Sequence, residues 1–184
     1  MRIAVIAIQE PKQIIMKKLI TILFVAASMT SFGQTFNLNV SDASVYFHYV
    51  SEDTKGSLSG VSAKVNIDPS NLSASTVIGT AMVSSLTTKN KTRDKHLQSA
   101  DFFDEAKFPT MKFVSGEITK DGDGYKANGK LTIKETTKDV TFVVSEKEGV
   151  LRFKTTIFSL DYGVATKKSR EKSKVIIIVK IPVG

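Results

Sequence analysis

Three cations close together are the residues best suited by type and spacing to bind a ligand. Residues 92–99 contain no Gly, no Pro and no alternating pattern, which predicts a short helix or helical turn. This segment carries Arg93, Lys95 and His96. Cations grouped on one turn can hold an anionic or oxygen-bearing group through charge-assisted hydrogen bonds.

Acidic residues in and after this segment allow a structural interpretation as well. The Arg93–Asp94 pair and Asp101 would form a network that fixes the helix, and the sequence leaves both roles open. Asp101, Asp104 and Glu105 are also close enough in sequence to suggest paired catalytic carboxylates. They lie among phenylalanines near a strand start, where carboxylates also serve as capping groups.

The amino-acid composition excludes most other kinds of catalytic and metal-binding site. The 184 residues include no Cys and two His, which excludes disulfides, Cys-ligated zinc, iron–sulfur clusters and thiol nucleophiles. The motifs Gly-x-Ser-x-Gly and His-Glu-x-x-His and a phosphate-binding glycine loop are absent from the sequence. We therefore expect a protein that is not an enzyme and holds no metal or cofactor. The net charge of +8 raises the question of an anionic partner.

The N-terminal segment has the form of a signal peptide. Met16-Lys17-Lys18 precedes an apolar run over residues 19–27 and then small and polar residues that end at Gly33. We predict export with cleavage after Gly33, and interpret residues 1–15 as a start site assigned too far upstream. The alternative is an uncleaved anchor, but the apolar run is shorter than the ~20 residues that span a bilayer. An exported protein rarely meets nucleic acid, and no strand shows an aromatic–basic ladder, so nucleic acid is not an expected partner.

Residues 34–184 are predicted to form a single all-β domain with one short helical segment. Period-two alternation is clearest over residues 125–134, and the Asp-Gly-Asp-Gly turn at residues 121–124 predicts a tight hairpin with residues 111–119. The other predicted strands cover residues 34–40, 45–50, 58–67, 75–83, 139–147, 150–160 and 175–181. A sandwich and a barrel both fit this spacing; we favour an antiparallel barrel of about eight strands, because closure removes exposed edges.

Three separated motifs resemble the YceI-like family, in family order and spacing. They are residues 92–113 (TRDKHLQSADFFD followed by KFPTMKF), residues 129–140 (GKLTIKETTKDV) and residues 158–164, which contain Asp-Tyr-Gly-Val. The sequence departs from the family at Glu135, where Gly is usual, and in the strongly basic loop over residues 166–174.

The resemblance implies an exported, lipocalin-like barrel that binds polyisoprenoids and related lipids. We accordingly expect a periplasmic protein with an isoprenoid-type lipid or quinone as ligand and no further cofactor. The alternative is a ligand-free envelope barrel that acts as a structural or protein-interaction module. A homodimer is also considered.

Alternation predicts which side chains face the barrel interior. The predicted lumen residues are Val45, Phe47, Tyr49, Gly79, Ala81, Phe113, Leu131, Ile133, Phe142, Val144, Leu151, Phe153 and Ile157. They would either line a ligand cavity or fill a packed core. Small inward residues, namely Gly79 and Ala81 with Ala127 and Gly129, favour a cavity.

The predicted entrance combines the cations with aromatic residues. If the resemblance holds, Arg93, Lys95 and His96 would bind the phosphate or quinone oxygen of a lipid headgroup. Phe102, Phe103 and Phe108 would form a lid or a wall, or alternatively a plug that packs the helix onto the barrel. The basic loop over residues 167–174 is predicted to be either a solvated turn or a contact with an anionic membrane surface.

Overall fold

The computed structural model describes residues 40–164 and 167–183, and these form nine strands and one α-helix. The predicted signal peptide and nearly all of the predicted strand at residues 34–40 lie outside the described residues. The strands are β1 (Ser44–Tyr49), β2 (Thr54–Leu58), β3 (Val61–Asn66), β4 (Thr76–Met82), β5 (Thr110–Asp121), β6 (Gly124–Ile133), β7 (Thr136–Lys147), β8 (Val150–Phe158) and β9 (Lys174–Pro182), and the helix is α1 (Lys91–Gln98). Short 3-10 helices occupy Val40–Asp42, Val50–Glu52, Leu72–Ala74, Val83–Ser85, Ser159–Tyr162 and Glu171–Ser173.

All nine strands belong to one antiparallel sheet with the order β2-β1-β9-β8-β7-β6-β5-β4-β3. The sheet curls so that its edge strands β2 and β3 are joined by only two residues, Ser59 and Gly60. The free edge of β2 is partly covered, because Ser57 and Thr87 exchange two backbone hydrogen bonds of 2.9 Å. The predicted antiparallel barrel with a single helical segment is confirmed.

Buried and exposed side chains alternate along the strands, as the alternation of apolar and polar residues in the sequence predicted. In β8, Leu151, Phe153 and Ile157 are buried, whereas Lys154 faces outward. The predicted β5–β6 hairpin is present, and Gly122 occupies its turn with a φ of 57°. Strand register therefore fixes which residues meet inside the barrel.

The predicted strand over residues 58–67 is in fact the end of β2, a turn and β3. Gly60, with a φ of 63°, makes the turn. The sequence of β2, Thr-Lys-Gly-Ser-Leu, shows almost no apolar alternation, because Gly56 takes an inward position against the ring of Phe47. Strand β2 was therefore missed by pattern.

Ala127 and Gly129 are small for a reason other than a cavity. Ala127 is completely buried, and a Cβ added to Gly129 would lie 2.3 Å from the carbonyl oxygen of Val114. These two residues allow close packing of β6 on β5, so the inference that they enlarge a cavity was wrong. Among the described residues, no helix is long and apolar enough to cross a membrane.

The tightly packed part of the barrel is expected to carry much of its stability. Leu151 is 2% exposed, and its replacement by Ala should lower the free energy of unfolding by about 2–5 kcal/mol, because it removes buried contacts and leaves a void. Val143→Ala, on the outer face of β7, is the matched control with little expected loss. Urea unfolding measures both, and equal losses would contradict this assignment of the core.

Candidate functional site

The barrel encloses two apolar chambers that share part of their walls. The chamber beside β3, β4 and β5, which we name the inner chamber, has a volume of about 100 Å³. The chamber beside α1, which we name the outer chamber, has a volume of about 280 Å³. Both are lined by Val45, Leu58, Met111, Ile133 and Ile177. The shared side chains come from β1, β2, β5, β6 and β9, so the two chambers adjoin across them.

The inner chamber lies beside β3, β4 and β5, where several inward-facing residues are small. Gly79 pairs with Ala63 and Phe113, and all three line the chamber together with Ala81. A Cβ added to Gly79 would meet only the carbonyl oxygen of Ser62, at 3.9 Å. The interior beside β4 therefore has room that neighbouring side chains do not fill.

The outer chamber lies beneath α1 and is apolar except at a few positions. Its apolar wall includes Phe47, Leu86, Leu97, Phe102, Phe103, Ile157, Val164 and Val175. Its polar residues are Glu52, Thr54, Arg93, His96, Ser159 and Tyr162. The inner chamber, by comparison, has only Thr80 and Lys112 as polar lining residues, so most polar residues of the interior belong to the outer chamber.

Hydrogen bonds at both ends of α1 hold the helix over this chamber. The Asn90 side chain accepts from the backbone N–H of Arg93 at 3.0 Å and caps the first turn. The Asp94 carboxylate accepts from the backbone N–H of Thr88 at 2.7 Å and from the Thr87 hydroxyl at 3.0 Å. At the other end, the Gln98 amide donates to backbone carbonyls of the preceding segment, including that of Ser84 at 3.1 Å.

The environment of Asp94 favours its ionised form. Burial raises the pKa of the Asp94 carboxyl, but hydrogen bonds from Thr88 and Thr87, together with the charge of Arg93, outweigh burial and lower that pKa below 3.8. Asp94 is therefore a charged anchor for α1. The structural network that the sequence suggested is present at Asp94, whereas Asp101 is mostly exposed and 4.0 Å from His96.

The three predicted headgroup cations have different positions. Arg93 lines the outer chamber, but its Nε donates to the Thr88 hydroxyl at 2.8 Å and an Nη donates to the Thr88 carbonyl at 3.3 Å. His96 also lines the chamber and packs edge-on against the Phe102 ring, with 4.7 Å between centroids. Lys95 is exposed and does not line either chamber.

Two of the three predicted entrance aromatics form part of the chamber wall. Phe102 and Phe103 line the outer chamber and pack against the hydrophobic core. Phe108 lines neither chamber; its ring lies beneath Lys107, with the Nζ 5.1 Å from the centroid. The turn that directly follows α1 therefore contributes two aromatic side chains to the chamber wall.

Most of the predicted lumen residues line the interior space. The inner chamber is lined by Val45, Gly79, Ala81, Phe113, Leu131, Ile133, Phe142 and Phe153, and the outer one by Val45, Phe47, Tyr49, Ile133 and Ile157. Val144 and Leu151 are buried but line neither chamber. They belong to the packed region near the β7–β8 hairpin, and direct ligand contact by the other residues stays a prediction.

Sequence reasoning missed the contribution of β9. Val175, Ile177, Val179 and Ile181 all line the interior. The run over residues 175–179 is apolar at every position, so alternation alone did not distinguish its faces. Lys180 could have indicated the faces of β9. Its charge favours an outward position, and alternation then places the other even-numbered residues of this strand outward as well.

Two hydroxyl groups in the outer chamber wall have no hydrogen-bond partner among the described residues. They belong to Ser159 and Tyr162, which occupy the first and fourth positions of the 3-10 helix Ser159–Tyr162. Residues three apart in a 3-10 helix lie on the same side. Burial, and secondarily the charge of Asp161, raises the pKa of Tyr162 to about 12, so its phenol stays protonated and can donate.

The basic loop lies next to the outer chamber and is partly neutralised. Lys167 pairs with Glu52 of the chamber wall at 2.9 Å. Arg170 pairs with Asp161 at 2.7 Å and lies over the Phe158 ring, 3.8 Å from its centroid. The other cations of the loop, Lys168, Lys172 and Lys174, are exposed.

The described residues contain no group of three or more His, Cys, Asp or Glu side chains that could hold a metal ion.

Fold and interior together define the class: an antiparallel β-barrel with an apolar cavity under a short helix. The model of the YceI-like domain matches residues 36–182, so the chain belongs to the YceI-like family.

Individual relatives agree with this assignment. A UPF0312 protein of Enterobacter sp. (strain 638) is 40% identical over 86 residues, which are 47% of this chain and 45% of that protein. The match thus spans about half the length of the curated relative. Burkholderia cenocepacia BcnA is 23% identical, with a TM-score of 0.67 over 80% of this chain and 99% of BcnA. A polyisoprenoid binding domain from Saccharophagus degradans is 9% identical, with a TM-score of 0.52 over 81% of this chain and 98% of that domain. These two structures share the fold.

The charge of Asp94 should make the anchoring of α1 depend on pH. Because the folded pKa is lowered, its stabilisation is complete above the unfolded value of 3.8 and is lost as the pH falls through the folded pKa. Asp94→Asn should therefore be less stable than the unchanged protein at about pH 7, and the difference should shrink toward about pH 3. Urea unfolding at several pH values measures it, with the exposed turn substitution Asp123→Asn as control. A difference that does not change with pH would refute the role of the charge.

Proposed function

We propose that this protein binds a long amphiphilic isoprenoid-type lipid inside its barrel and carries it in the periplasm. The observation that carries the proposal is the largely apolar interior formed by the two adjoining chambers. Both chambers are lined by residues of one chain, so a single copy provides the whole site. Binding needs no catalytic residue and no cofactor.

The physical fit is between a flexible hydrocarbon chain and a dry, smooth cavity. Each buried CH₂ group stabilises the complex by roughly 0.8 kcal/mol, and this gain needs no directional contact. The small residues of β4 leave space beside a wall of Phe113, Phe142 and Phe153. The Saccharophagus degradans protein that shares this fold is a polyisoprenoid binding domain, which supports a ligand of this class here.

A ligand-free envelope barrel is the competing proposal. A barrel that only packs or binds proteins would gain stability by filling its interior, because unfilled apolar volume forfeits van der Waals contacts. Gly79 and Ala81, next to open space, instead favour a binding role. The periplasmic location rests on the signal-peptide form of residues 16–33 and on membership of the YceI-like family.

A side chain added at Gly79 should block the ligand. Leu at this position would occupy the space of about four ligand carbon atoms, so Gly79→Leu should weaken lipid binding at least tenfold. The matched control is Gly116→Leu, which adds the same side chain at an exposed β5 position where the nearest atom is 3.9 Å away. Native mass spectrometry of each protein purified from the envelope, followed by organic extraction, measures the bound lipid.

Each outcome of that comparison has a meaning. Bound isoprenoid lipid in the unchanged protein and in Gly116→Leu, with loss in Gly79→Leu, supports the proposal. A bare protein mass that stays bare after incubation with isoprenoid lipids would favour the ligand-free barrel. Equal lipid content in all three proteins would show that the ligand lies elsewhere.

We further propose that the basic loop brings the outer chamber to an anionic membrane surface. The loop contacts the chamber wall through the Lys167–Glu52 ion pair. Lys168, Lys172 and Lys174 are exposed, and so are the apolar side chains of Val50 and Leu160 on the adjacent 3-10 helices. Cations around small apolar residues suit a surface of anionic lipid headgroups.

Replacing the three lysines with Gln should weaken vesicle binding by more than tenfold at low salt, since each contributes about 1 kcal/mol near an anionic surface. The measurement is cosedimentation with phosphatidylglycerol vesicles and with neutral phosphatidylcholine vesicles. The control replaces Lys64, Lys147 and Lys154, which are exposed elsewhere on the barrel, and removes the same charge. Equal losses in the two triple variants would show that only net charge matters.

A further inference from the structure

Residues 89–108 carry α1 and the turn that follows it, and their backbone is not paired with the barrel. Within the part of the chain that the structure describes, every backbone hydrogen bond of these residues joins two members of the same segment. The residues on either side, by contrast, are bonded to neighbouring elements. Thr87 exchanges two backbone hydrogen bonds with Ser57 of β2, and the Pro109 carbonyl accepts from the Val83 N–H at 2.9 Å. The segment is therefore a flap between two fixed ends.

The side chains of this flap pack sparsely on the barrel. Helix α1 contains no fully buried side chain. The apolar contacts with the barrel come from Leu97, Phe102 and Phe103, which are half-buried and also line the outer chamber. Because these side chains border open space on one side, lifting them forfeits fewer van der Waals contacts than displacing a core residue would.

Polar side chains hold the two ends of α1 differently. Asp94 accepts from Thr87 and Thr88, which directly precede the flap, so these bonds fix where the flap begins without holding its far end. Near that far end, the Gln98 amide reaches the short 3-10 helix that follows β4 and donates to the Ser84 carbonyl at 3.1 Å. Gln98 is thus placed as a latch between the end of α1 and the barrel.

The backbone conformation indicates where the flap can turn. Lys89 has a φ of 60°, which residues other than Gly rarely adopt, and it lies directly before the helix cap. Hinges absorb their dihedral changes at a few such element-terminal residues. The following turn would move together with α1, because the Phe103 N–H donates to the Leu97 carbonyl and the Glu105 N–H to the Gln98 carbonyl, each at 3.0 Å.

The other walls of the outer chamber are harder to open. Strands β1, β8 and β9 are joined by continuous antiparallel pairing, so separating any two of them would break several backbone hydrogen bonds at once. Lifting the flap breaks the bonds of one amide side chain and the contacts of three half-buried residues. Movement of the flap is therefore the less costly way to admit a long chain.

We propose that residues 89–108 form a lid over the outer chamber, which turns at Lys89 and is latched shut by the Gln98 amide. When the lid opens, Leu97 and Phe103 move away from the chamber and the hydrocarbon chain of the ligand enters. The inference rests on the proposed function for the kind of ligand, whereas the opening itself is a property of the ligand-free protein.

The first test removes the latch. Gln98→Ala loses the same hydrogen bonds in the empty and in the loaded protein. It should therefore raise the association rate and the dissociation rate of all-trans-retinol, a fluorescent isoprenoid, by about three- to tenfold each and leave its Kd unchanged. Stopped-flow fluorescence measures both rates. The control is Lys95→Ala, an exposed substitution on α1 at a residue that lines neither chamber.

The second test holds the lid shut. Because the chain contains no Cys, the pair Ser84→Cys and Gln98→Cys can be joined selectively by 1,3-propanediyl bismethanethiosulfonate, which forms reducible disulfides. The bridged protein should bind and release retinol about tenfold more slowly, or slower still, than the same protein after reduction. The control is a bridge between Lys147→Cys and Val150→Cys, which pair across the β7–β8 hairpin, and it should have no effect.

Hydrogen exchange of the ligand-free protein tests the lid without any ligand. Gln98→Ala should accelerate exchange of the α1 amides by the same factor of about three to ten and leave the β8 amides unchanged. Fraying of the helix alone would change the rate in the opposite direction, because Ala favours the helix more than Gln does.

Each contrary result has a definite meaning. Unchanged retinol rates in the bridged protein would show that the ligand enters elsewhere, and unchanged rates and exchange in Gln98→Ala would show that this amide is not a latch. Faster dissociation alone, with a weaker Kd, would show that Gln98 only supports the wall around the bound ligand. Any of these results overturns the inference. If the unchanged protein binds no retinol and no geranylgeraniol, the proposed function fails, and the exchange of the α1 amides then decides the lid by itself.

Discussion

The structure depends on one constraint, that alternate residues of all nine strands face a common interior. Antiparallel pairing fixes the register, so one pair assigns the inward positions of its two strands, except in β5, where a bulge between Ser115 and Glu117 shifts the alternation. A curled sheet of this size encloses more volume than small side chains can fill. Phe113, Phe142 and Phe153 fill part of it, and Gly79 and Ala81 leave the remainder open. The cavity is thus a consequence of side-chain size at fixed register.

Polarity is distributed unevenly along this interior. The region around Val144 and Leu151 is tightly packed, the inner chamber is lined by apolar residues except Thr80 and Lys112, and the outer chamber has six polar lining residues. The outer chamber is also where α1 lies, held by the ionised Asp94 and the Gln98 amide. An amphiphile has the same one-ended distribution of polarity. This match makes a lipid a more suitable ligand than a compact polar molecule.

The cations of α1 show why a residue's type does not determine its role. Arg93, Lys95 and His96 are adjacent in sequence and could all have served a headgroup. In the structure, two nitrogens of the Arg93 guanidinium donate to Thr88, Lys95 faces solvent and His96 packs on Phe102. Helix geometry separates neighbours onto different faces, because successive residues are rotated by about 100°.

The sequence by itself determined the fold class, the helix and most inward positions, because strand alternation and turn glycines such as Gly122 act locally. It also identified the YceI-like family through its three motifs. It did not reveal β2, whose inward position at Gly56 has no apolar side chain, or the inward face of β9, where nearly every residue is apolar. Only the tertiary structure decided that Gly79 borders open space while Gly129 touches the backbone of β5. Those distinctions depend on distances between strands, and a sequence does not contain distances.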